Sequence, residues 1–278
     1  MKYTIALNLL LLTTSVFAQE KKASESYNQQ GKLYFYWGWN GTSYTNSDIS
    51  FAGDNYNFTL NDVTADDRQS DFTIKKYFGP TSITIPQYNF RIGYYFKPNW
   101  DISFGIDHMK YVVDQNQTAK ISGTINAGST FDGGYNYDDI ALTEDFLKFE
   151  HTDGLNFANV ELRYSNRLLD ANKVQFNYLA GGGGGILYPK TNVSLLDNER
   201  YDDFNVAGFG IDAVVGLNIT FFKRFFIQSE LKTGWVNLPN VRTTSSSADS
   251  ATQDFFFLQR NIVFGGIFNL TKASKNKK

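Results

Sequence analysis

Apolar and polar residues alternate most regularly between residues 206 and 236. From Ala207 to Phe221 every second residue is apolar, and those in between are mostly glycine, asparagine, aspartate or threonine. The alternation resumes after a short turn at 222–224. A period of two is typical of a β-strand with two different faces. Soluble strands usually have about 5–6 residues, whereas a tilted membrane strand needs about 9–11, so the segment predicts a membrane hairpin.

Six other segments alternate in the same way, and with the hairpin they make eight predicted strands. The six segments are 32–40, 87–96, a strand that begins at Trp100, 155–168, 174–188 and 254–270. Short turns alternate with long polar segments at 41–85, 114–154, 189–205 and 238–253, and we expect pieces 48–51 and 56–60 to extend the wall of the sheet. The predicted fold class is all-β: an eight-stranded antiparallel up-and-down transmembrane β-barrel with long outer loops.

The two ends of the chain differ from this pattern. Residues 1–18 contain one charge at Lys2, an apolar run, and Val16, Phe17 and Ala18 before Gln19, which is typical of a cleaved signal peptide. We therefore divide the chain into a signal peptide (1–18), a periplasmic N-terminal tail (19–30), the barrel (31–270) and a basic C-terminal tail (271–278).

The composition narrows the class of function. The chain contains no cysteine, so disulfides, thiolate metal sites and a lipid anchor on cysteine are excluded. The formal net charge is −2 and no basic face stands out, which argues against nucleic-acid binding. Aromatic residues make up 17% of the chain, as expected for a barrel with aromatic belts at both membrane interfaces. We expect no cofactor and no metal.

Seven charged residues fall at inward-facing positions of the predicted strands. They are Arg91, Asp107, Glu161, Arg163, Asp212, Glu230 and Lys232. The side chains of an eight-stranded barrel fill its interior, and a lone buried charge is costly. We therefore expect these groups to pair in a network that replaces an apolar core, which argues against a wide solute pore. Five glycines at 181–185 would leave room for the larger side chains, and no phosphate-binding motif surrounds them.

At the level of this pattern, the mature chain resembles small eight-stranded outer-membrane barrels of the OmpA/OmpX type. The resemblance implies an outer-membrane location, with lipid and lipopolysaccharide around the barrel. It also implies insertion by the barrel-assembly machinery. A secreted, lipocalin-like soluble barrel is the alternative fold, and it would be extracted without detergent.

The two histidines, His108 and His151, are candidates for chemistry at the outer rim. The predicted strand geometry brings both to the outer headgroup level, with Asp107, Lys110, Glu150 and Asp153 close by in sequence. A histidine oriented by a carboxylate is the general base that a lipid-cleaving hydrolase needs. In a second interpretation the rim residues anchor the barrel, and Lys110 pairs with lipopolysaccharide phosphates.

The segment around His151 loosely resembles the His-x-Ser-Asn region of outer-membrane lipid A deacylases. The resemblance implies an alternative function as a lipid-modifying hydrolase, with His151, His108, Asp153 and Glu150 as its catalytic group. The sequence departs from that family at the nucleophile: Asp153 stands in the place of the serine, and Thr152 lies one residue before it.

The long loops carry acidic clusters and aromatic residues. Acids at 62–67, 138–139 and 144–145 could hold calcium or form a solvated face, and their spacing matches no calcium-loop signature. The aromatic residues of the loops predict that the loops pack into ordered caps rather than remain disordered. Long ordered loops on a rigid scaffold commonly recognise a ligand. The primary hypothesis is a non-enzymatic surface protein that supports the envelope or binds an external ligand through its loops.

Overall fold

The computed structural model describes residues 27–79, 81–82, 86–196 and 200–270, without the side chains of residues 152 and 153. Within these residues it contains fifteen strands and one short helix. The predicted signal peptide (1–18), residues 19–26 of the predicted tail and the basic tail (271–278) lie outside the described residues. No helix in the described part of the chain is both long enough and apolar enough to cross a membrane.

Eight long strands form a closed ring in which every strand is antiparallel to both neighbours. In ring order they are β1 (Lys32–Tyr44), β5 (Tyr88–Tyr95), β6 (Trp100–Val113), β9 (Leu147–Ala171), β10 (Val174–Leu187), β13 (Gly208–Phe221), β14 (Phe225–Arg242) and β15 (Ser250–Asn269). The pairing of β15 with β1 closes the ring, from Lys32 beside Asn269 to Tyr44 beside Phe257. The predicted all-β antiparallel class is confirmed.

The two ends of the ring differ. At one end, which we call the turn end, short turns at 96–99, 172–173 and 222–224 join neighbouring strands. At the other, the loop end, the connections contain further structure. Several strands are longer there than the alternation predicts. Both β9 and β15 continue beyond the ring and pair with strands of the loops, and β14 continues alongside β15.

The loop strands build a second unit on the loop end, which we call the cap. It consists of β2 (Ser47–Gly53), β3 (Tyr56–Val63), β4 (Ala65–Asp66), β7 (Thr118–Ile125), β8 (Gly133–Ala141), β11 (Lys190–Leu195) and β12 (Tyr201–Phe204), with the upper parts of the ring strands. The strands β2, β3, β7 and β8 continue the sheet outward from β15. The pieces 48–51 and 56–60 thus extend the wall, as their sequence predicts. A single-turn helix, α1 (Ile74–Phe78), lies in the first loop.

The interior changes character between the cap and the ring. Along β15 the inward residues are Phe255 and Phe257 towards the cap, followed by Gln259 and Asn261 within the ring. The same change occurs on β9 between Phe157 and Asn159. The three phenylalanines belong to one large apolar cluster that fills the cap, whereas the ring below it contains mainly charged and amide side chains.

The outer face changes in the opposite sense at nearly the same level. On β15 the outward residue Asp254 is followed by Phe256, and outward positions from there down to Phe268 are apolar except for Arg260 and Gly266. The exposed apolar residues of the other ring strands continue this belt around the ring; examples are Ile102, Val160, Ile211 and Leu231. Inward and outward residues therefore continue to alternate through 255–257. What changes there, between cap and ring, is the polarity of each face.

The glycines of β10 permit a close approach of β9. A Cβ atom added at Gly183 would lie 2.8 Å from Cγ of Glu161 and would collide with the backbone of Val160. An inward side chain at this position would thus compete with Glu161 for the same space, and the glycine leaves that space to the charged group.

Candidate functional site: the ring interior and the outer rim

Glu161 is the centre of the ion network inside the ring. Its carboxylate lies 2.5 Å from the guanidinium of Arg91, 2.5 Å from that of Arg163 and 2.7 Å from Nζ of Lys232. All four side chains are almost fully buried. One carboxylate thus contacts three cations at once, which is possible because β5, β9 and β14 bring inward residues to nearly the same level.

Two further carboxylates complete the neutralisation. Arg163 donates to Glu230 at 2.7 Å, and Lys232 lies 2.6 Å from Asp107. The hydroxyl of Tyr36 accepts hydrogen bonds from Arg91 at 3.1 Å and from Arg163 at 3.0 Å. Buried ion pairs offset their desolvation only where such extra hydrogen bonds satisfy the remaining groups. Six of the seven predicted charged residues therefore form one connected network.

Buried amides surround the ions, and these were not among the predicted site residues. Asn159 accepts from Arg91 at 2.6 Å and donates to Asp107 at 2.8 Å. Asn89 donates to Asp107 at 2.5 Å and to Gln259 at 3.0 Å. All three amides occupy inward positions of predicted strands, so the alternation could have identified them together with the charges.

Asp212 departs from the expectation that every inward charge is paired. Its side chain is nine-tenths buried, and neither of its oxygens has a hydrogen-bond partner among the described residues. It lies on β13 between Gly183 of β10 and Gly234 of β14, so its neighbours in register have no donor side chain. The ammonium of Lys232, the cation of the neighbouring strand, is already held by Asp107 and Glu161.

Asp101 is a buried carboxylate of the ring that the predicted set omits. It accepts a hydrogen bond of 2.7 Å from the hydroxyl of Tyr34, and its second oxygen has no partner in the described part of the chain. Tyr34 packs against Tyr95 and Phe226 in a small apolar cluster. This cluster closes the interior at the turn end, below the ions.

The two histidines do not meet. His108 faces outward from β6, stacks on Tyr88 at a centroid distance of 4.9 Å, and has Nδ1 2.8 Å from Oδ1 of Asn156. His151 faces inward from β9 and is fully buried in the cap. Because the two imidazoles lie on opposite faces of the sheet, the expectation that they form one site at the rim is wrong.

The surroundings of His151 explain its protonation state. Its Nδ1 lies 2.8 Å from the hydroxyl of Thr191, and its Nε2 accepts from the amide of Gln253 at 3.3 Å. The aromatic rings of Tyr111 and Phe149 flank it. Burial lowers the pKa of His151 to about 3, because this apolar environment disfavours the charged imidazole.

Glu150, another member of the proposed hydrolase group, is also separated from His151. Glu150 lies on the opposite face of β9 from His151, where it accepts from Arg68 at 2.9 Å and from Asn192 at 2.5 Å. The side chain of Asp153 lies outside the described part. A bulge in the pairing between Met109 and Tyr111 shifts the register at this level, which strand counting from the sequence cannot anticipate.

In two of the three acidic loop clusters, carboxylates bind other groups of the protein. Asp67 accepts from the backbone N–H of Thr42 at 2.8 Å and from the amides of Gln69 and Gln87. In the second loop, Asp139 pairs with Lys120 at 2.7 Å. Among the described residues there is no group of three or more histidine, aspartate or glutamate side chains placed to hold a metal.

Comparison with known proteins gives distant structural similarity only. No protein-family model matches the chain, and no curated protein matches it. The outer membrane protein OprG from Pseudomonas aeruginosa is 13% identical, with a TM-score of 0.38 over 87% of this chain and 98% of that chain. Neisserial surface protein A is 6% identical, with a TM-score of 0.32 over 87% of this chain and 100% of that chain.

A third similar structure is the N-terminal β-barrel domain of OprF from Pseudomonas aeruginosa. It is 8% identical, with a TM-score of 0.28 over 86% of this chain and 98% of that chain. The chain is thus distantly similar to small outer-membrane barrel structures. At such low TM-scores no function can be transferred from them.

Proposed function

We propose that the protein is an integral outer-membrane β-barrel whose ring spans the bilayer and whose cap projects from the cell. In this role it is a non-enzymatic surface protein that supports the envelope or binds an external ligand. The observation that supports this proposal most directly is a reversal of polarity between ring and cap. The ring is apolar outside and charged inside, whereas the cap has an apolar core.

The height of the apolar belt supports a membrane-spanning ring. From Phe256 to Phe268 on β15, a rise of about 3.3 Å per residue and a tilt of about 45° give roughly 28 Å. Outer-membrane barrels have an apolar band of about 25 Å. Exposure of this apolar surface to water would cost about 25 cal/mol of free energy per Å². In a bilayer, lipid chains cover the same surface and this cost does not arise. Ring closure also satisfies the backbone groups that lipid cannot.

The filled interior argues for a closed barrel rather than a channel. The ion network, the amides above it and the cluster of Tyr34, Tyr95 and Phe226 occupy successive levels of the ring. The core of the cap lies above all of them. A solute would have to displace paired charges and then an apolar core, so we expect no steady conductance.

The cap has the features of a recognition surface. Its core of buried aromatic and aliphatic residues, including Phe51 and Phe58 stacked at 5.2 Å, holds the loops in one arrangement. Its sheet ends in β8, which pairs only with β7 and exposes most of its side chains, among them 59% of Tyr137. An exposed edge strand on a rigid support can pair with an extended segment of a partner.

The proposal is tested in intact cells and in planar bilayers. A protease added to intact cells should cleave tagged insertions at the tip of the β7–β8 hairpin but not in the turn at 222–224. The protein should require detergent for extraction and should show no steady conductance in bilayers. Extraction without detergent would contradict the membrane role, and stable single-channel currents would contradict the closed barrel.

A lipid hydrolase is not supported by the positions of its candidate residues. His151 is sealed in the cap, His108 faces the other side of the sheet, and Glu150 is held by Arg68. Lipid A from cells with and without the protein should therefore have the same acyl pattern, as judged by mass spectrometry. If the protein changes the acyl pattern and His108→Ala abolishes that change, the hydrolase function would be supported instead.

A further inference from the structure

Arg260 is a charged residue in the outward apolar belt of the ring. It faces out from β15 between Leu258 and Ile262, which are both exposed apolar side chains. An outward arginine at the bilayer midplane destabilises a barrel by about 2–4 kcal/mol, and by less near the interfaces. Charged residues at such positions are uncommon and generally have a role.

The side chain of Arg260 reaches towards the loop end. Its guanidinium donates a 2.6 Å hydrogen bond to the hydroxyl of Ser43, and Ser43 lies in register with Leu258, two residues closer to the cap. No carboxylate among the described residues lies within 4.0 Å of it. A guanidinium has five N–H donors, so Arg260 retains donors for an anion in the loop-end half of the belt.

A groove on the outer face of the ring begins beside this guanidinium. Its floor is formed where β14, β15 and β1 meet, by Ser229, Ile262 and the small residue Gly41. Its side wall is aromatic. The ring centroids of Trp39 and Tyr77 are 5.7 Å apart, and those of Tyr77 and Phe72 are 5.0 Å apart. The groove therefore combines an apolar channel with a cation at its upper end.

The first loop turns towards the belt at this point instead of joining the core of the cap. Phe72 is 70% exposed, and Ile74 and Phe78 of α1 are also largely exposed. Phe78 contacts Trp39, and Trp39 contacts Phe264 of the belt. The loop thus continues the apolar face of the ring, and Lys75 and Lys76 add positive charge to it. Two acids lie in the same loop: Asp71, and Asp67 near Gly41, whose carboxylate already accepts hydrogen bonds from Thr42 and Gln69.

We propose that this groove binds a phosphorylated lipid of the outer leaflet, with its phosphate on Arg260 and an acyl chain along Trp39 and Ile262. The inference rests on the proposed membrane position of the ring. The guanidinium lies in the loop-end half of the belt, near the level of Leu258, and the apolar groove extends from it towards the turn end, which is the order of headgroup and chain in that leaflet. Arginine suits this role because it binds phosphate through two parallel hydrogen bonds.

The test measures lipid retention by the refolded full chain. The protein is inserted into phosphatidylcholine vesicles containing either diphosphoryl lipid A or its dephosphorylated form, extracted into mild detergent and analysed by native mass spectrometry. We expect the diphosphoryl form to be retained about tenfold more strongly, because the dephosphorylated form lacks the charged group that accepts hydrogen bonds from Arg260. Arg260→Leu should abolish this preference, and Ser229→Trp, which fills the floor, should reduce retention of both lipids.

Arg224→Leu is the matched control, because it removes an arginine from the opposite end of the ring and should leave the preference unchanged. Equal retention of both lipids by the wild type, or an Arg260→Leu protein that keeps the preference, would overturn the proposal. These outcomes are distinct from failure of the proposed function, in which the protein would not insert into phosphatidylcholine vesicles at all.

Discussion

The ring and the cap are continuous in the same strands, yet they are stabilised by opposite means. Within the ring, β9 contributes Glu161 and Arg163 to a buried ion network; in the cap, the same strand contributes Phe149 and Leu155 to an apolar core. If the ring spans the bilayer as proposed, the solvent explains the difference: where lipid covers the outside, apolar residues face out and polar ones fill the interior. Where water covers the outside, as in the cap, polar residues face out and apolar residues fill the interior, as in a soluble protein. A strand thus reports the level of the membrane through the polarity of its two faces.

The largest effect is expected inside the ring. Glu161→Leu removes the carboxylate that contacts three cations, and uncompensated buried charges destabilise a protein by about 3–5 kcal/mol. The measurement is the urea midpoint of the protein refolded in phosphatidylcholine vesicles. Glu144→Gln, a loop substitution outside the network, is the control. A midpoint equal to that of the wild type would show that the ions do not stabilise the ring.

The next effect separates the two regions. Phe58→Ala leaves a cavity in the core of the cap, and such substitutions cost about 3–5 kcal/mol. We expect this loss to act locally, so that limited proteolysis cleaves the cap sooner while the ring stays inserted and protected. Simultaneous release of the ring from the membrane would show that ring and cap unfold as one unit.

Acid should weaken the cap through His151. The imidazole titrates near 6.5 in the unfolded chain and at about 3 in the fold, so between these values only the unfolded state binds the proton. Stability therefore falls as the pH drops below 6.5, by about 1.4 kcal/mol per pH unit, or about 2.7 kcal/mol at a pH near 4.5. The protection factors of residues 147–151 against hydrogen exchange, which compare the observed rate with the intrinsic rate at the same pH, should therefore be lower at that pH than at neutral pH.

The contribution of His151 to this acid sensitivity is isolated by variants. His151→Gln should keep the protection factors of residues 147–151 closer to their neutral-pH values, whereas His108→Gln, on the other face of the sheet, should respond as the wild type does. Equal acid sensitivity in all three proteins would contradict the assignment of the effect to His151.

The smallest effect is expected on the surface of the cap. The Lys120–Asp139 pair is exposed on both sides, and such pairs contribute about 0.2–1 kcal/mol. Asp139→Asn should shift the unfolding midpoint of the cap only slightly, and high salt should remove even that shift. A large change would mean that the β7–β8 hairpin is more important to the cap than its exposure indicates.

The sequence predicts the ring well because its signal is local. Alternation alone locates the long antiparallel strands of the ring and the inward charges, since the two faces of each strand differ in polarity. The cap is harder to predict: its strands pair across long separations, as β3 does with β7, and its inward residues resemble those of any soluble sheet. The histidines were misplaced because strand counting fixes their height but not their face, and a bulge beside Met109 cannot be read from composition.

The most direct test of the membrane level uses the absence of cysteine from the chain. Single cysteines at outward positions of β15, at 252, 254, 256, 258, 262, 264 and 268, are labelled with an environment-sensitive fluorophore after insertion into vesicles. The account predicts a polar, water-quenched signal at 252 and 254 and a lipid-quenched signal from 256 to 268. Uniform exposure to water along the whole strand would contradict the reversal of polarity as a sign of the membrane and, with it, the proposed barrel.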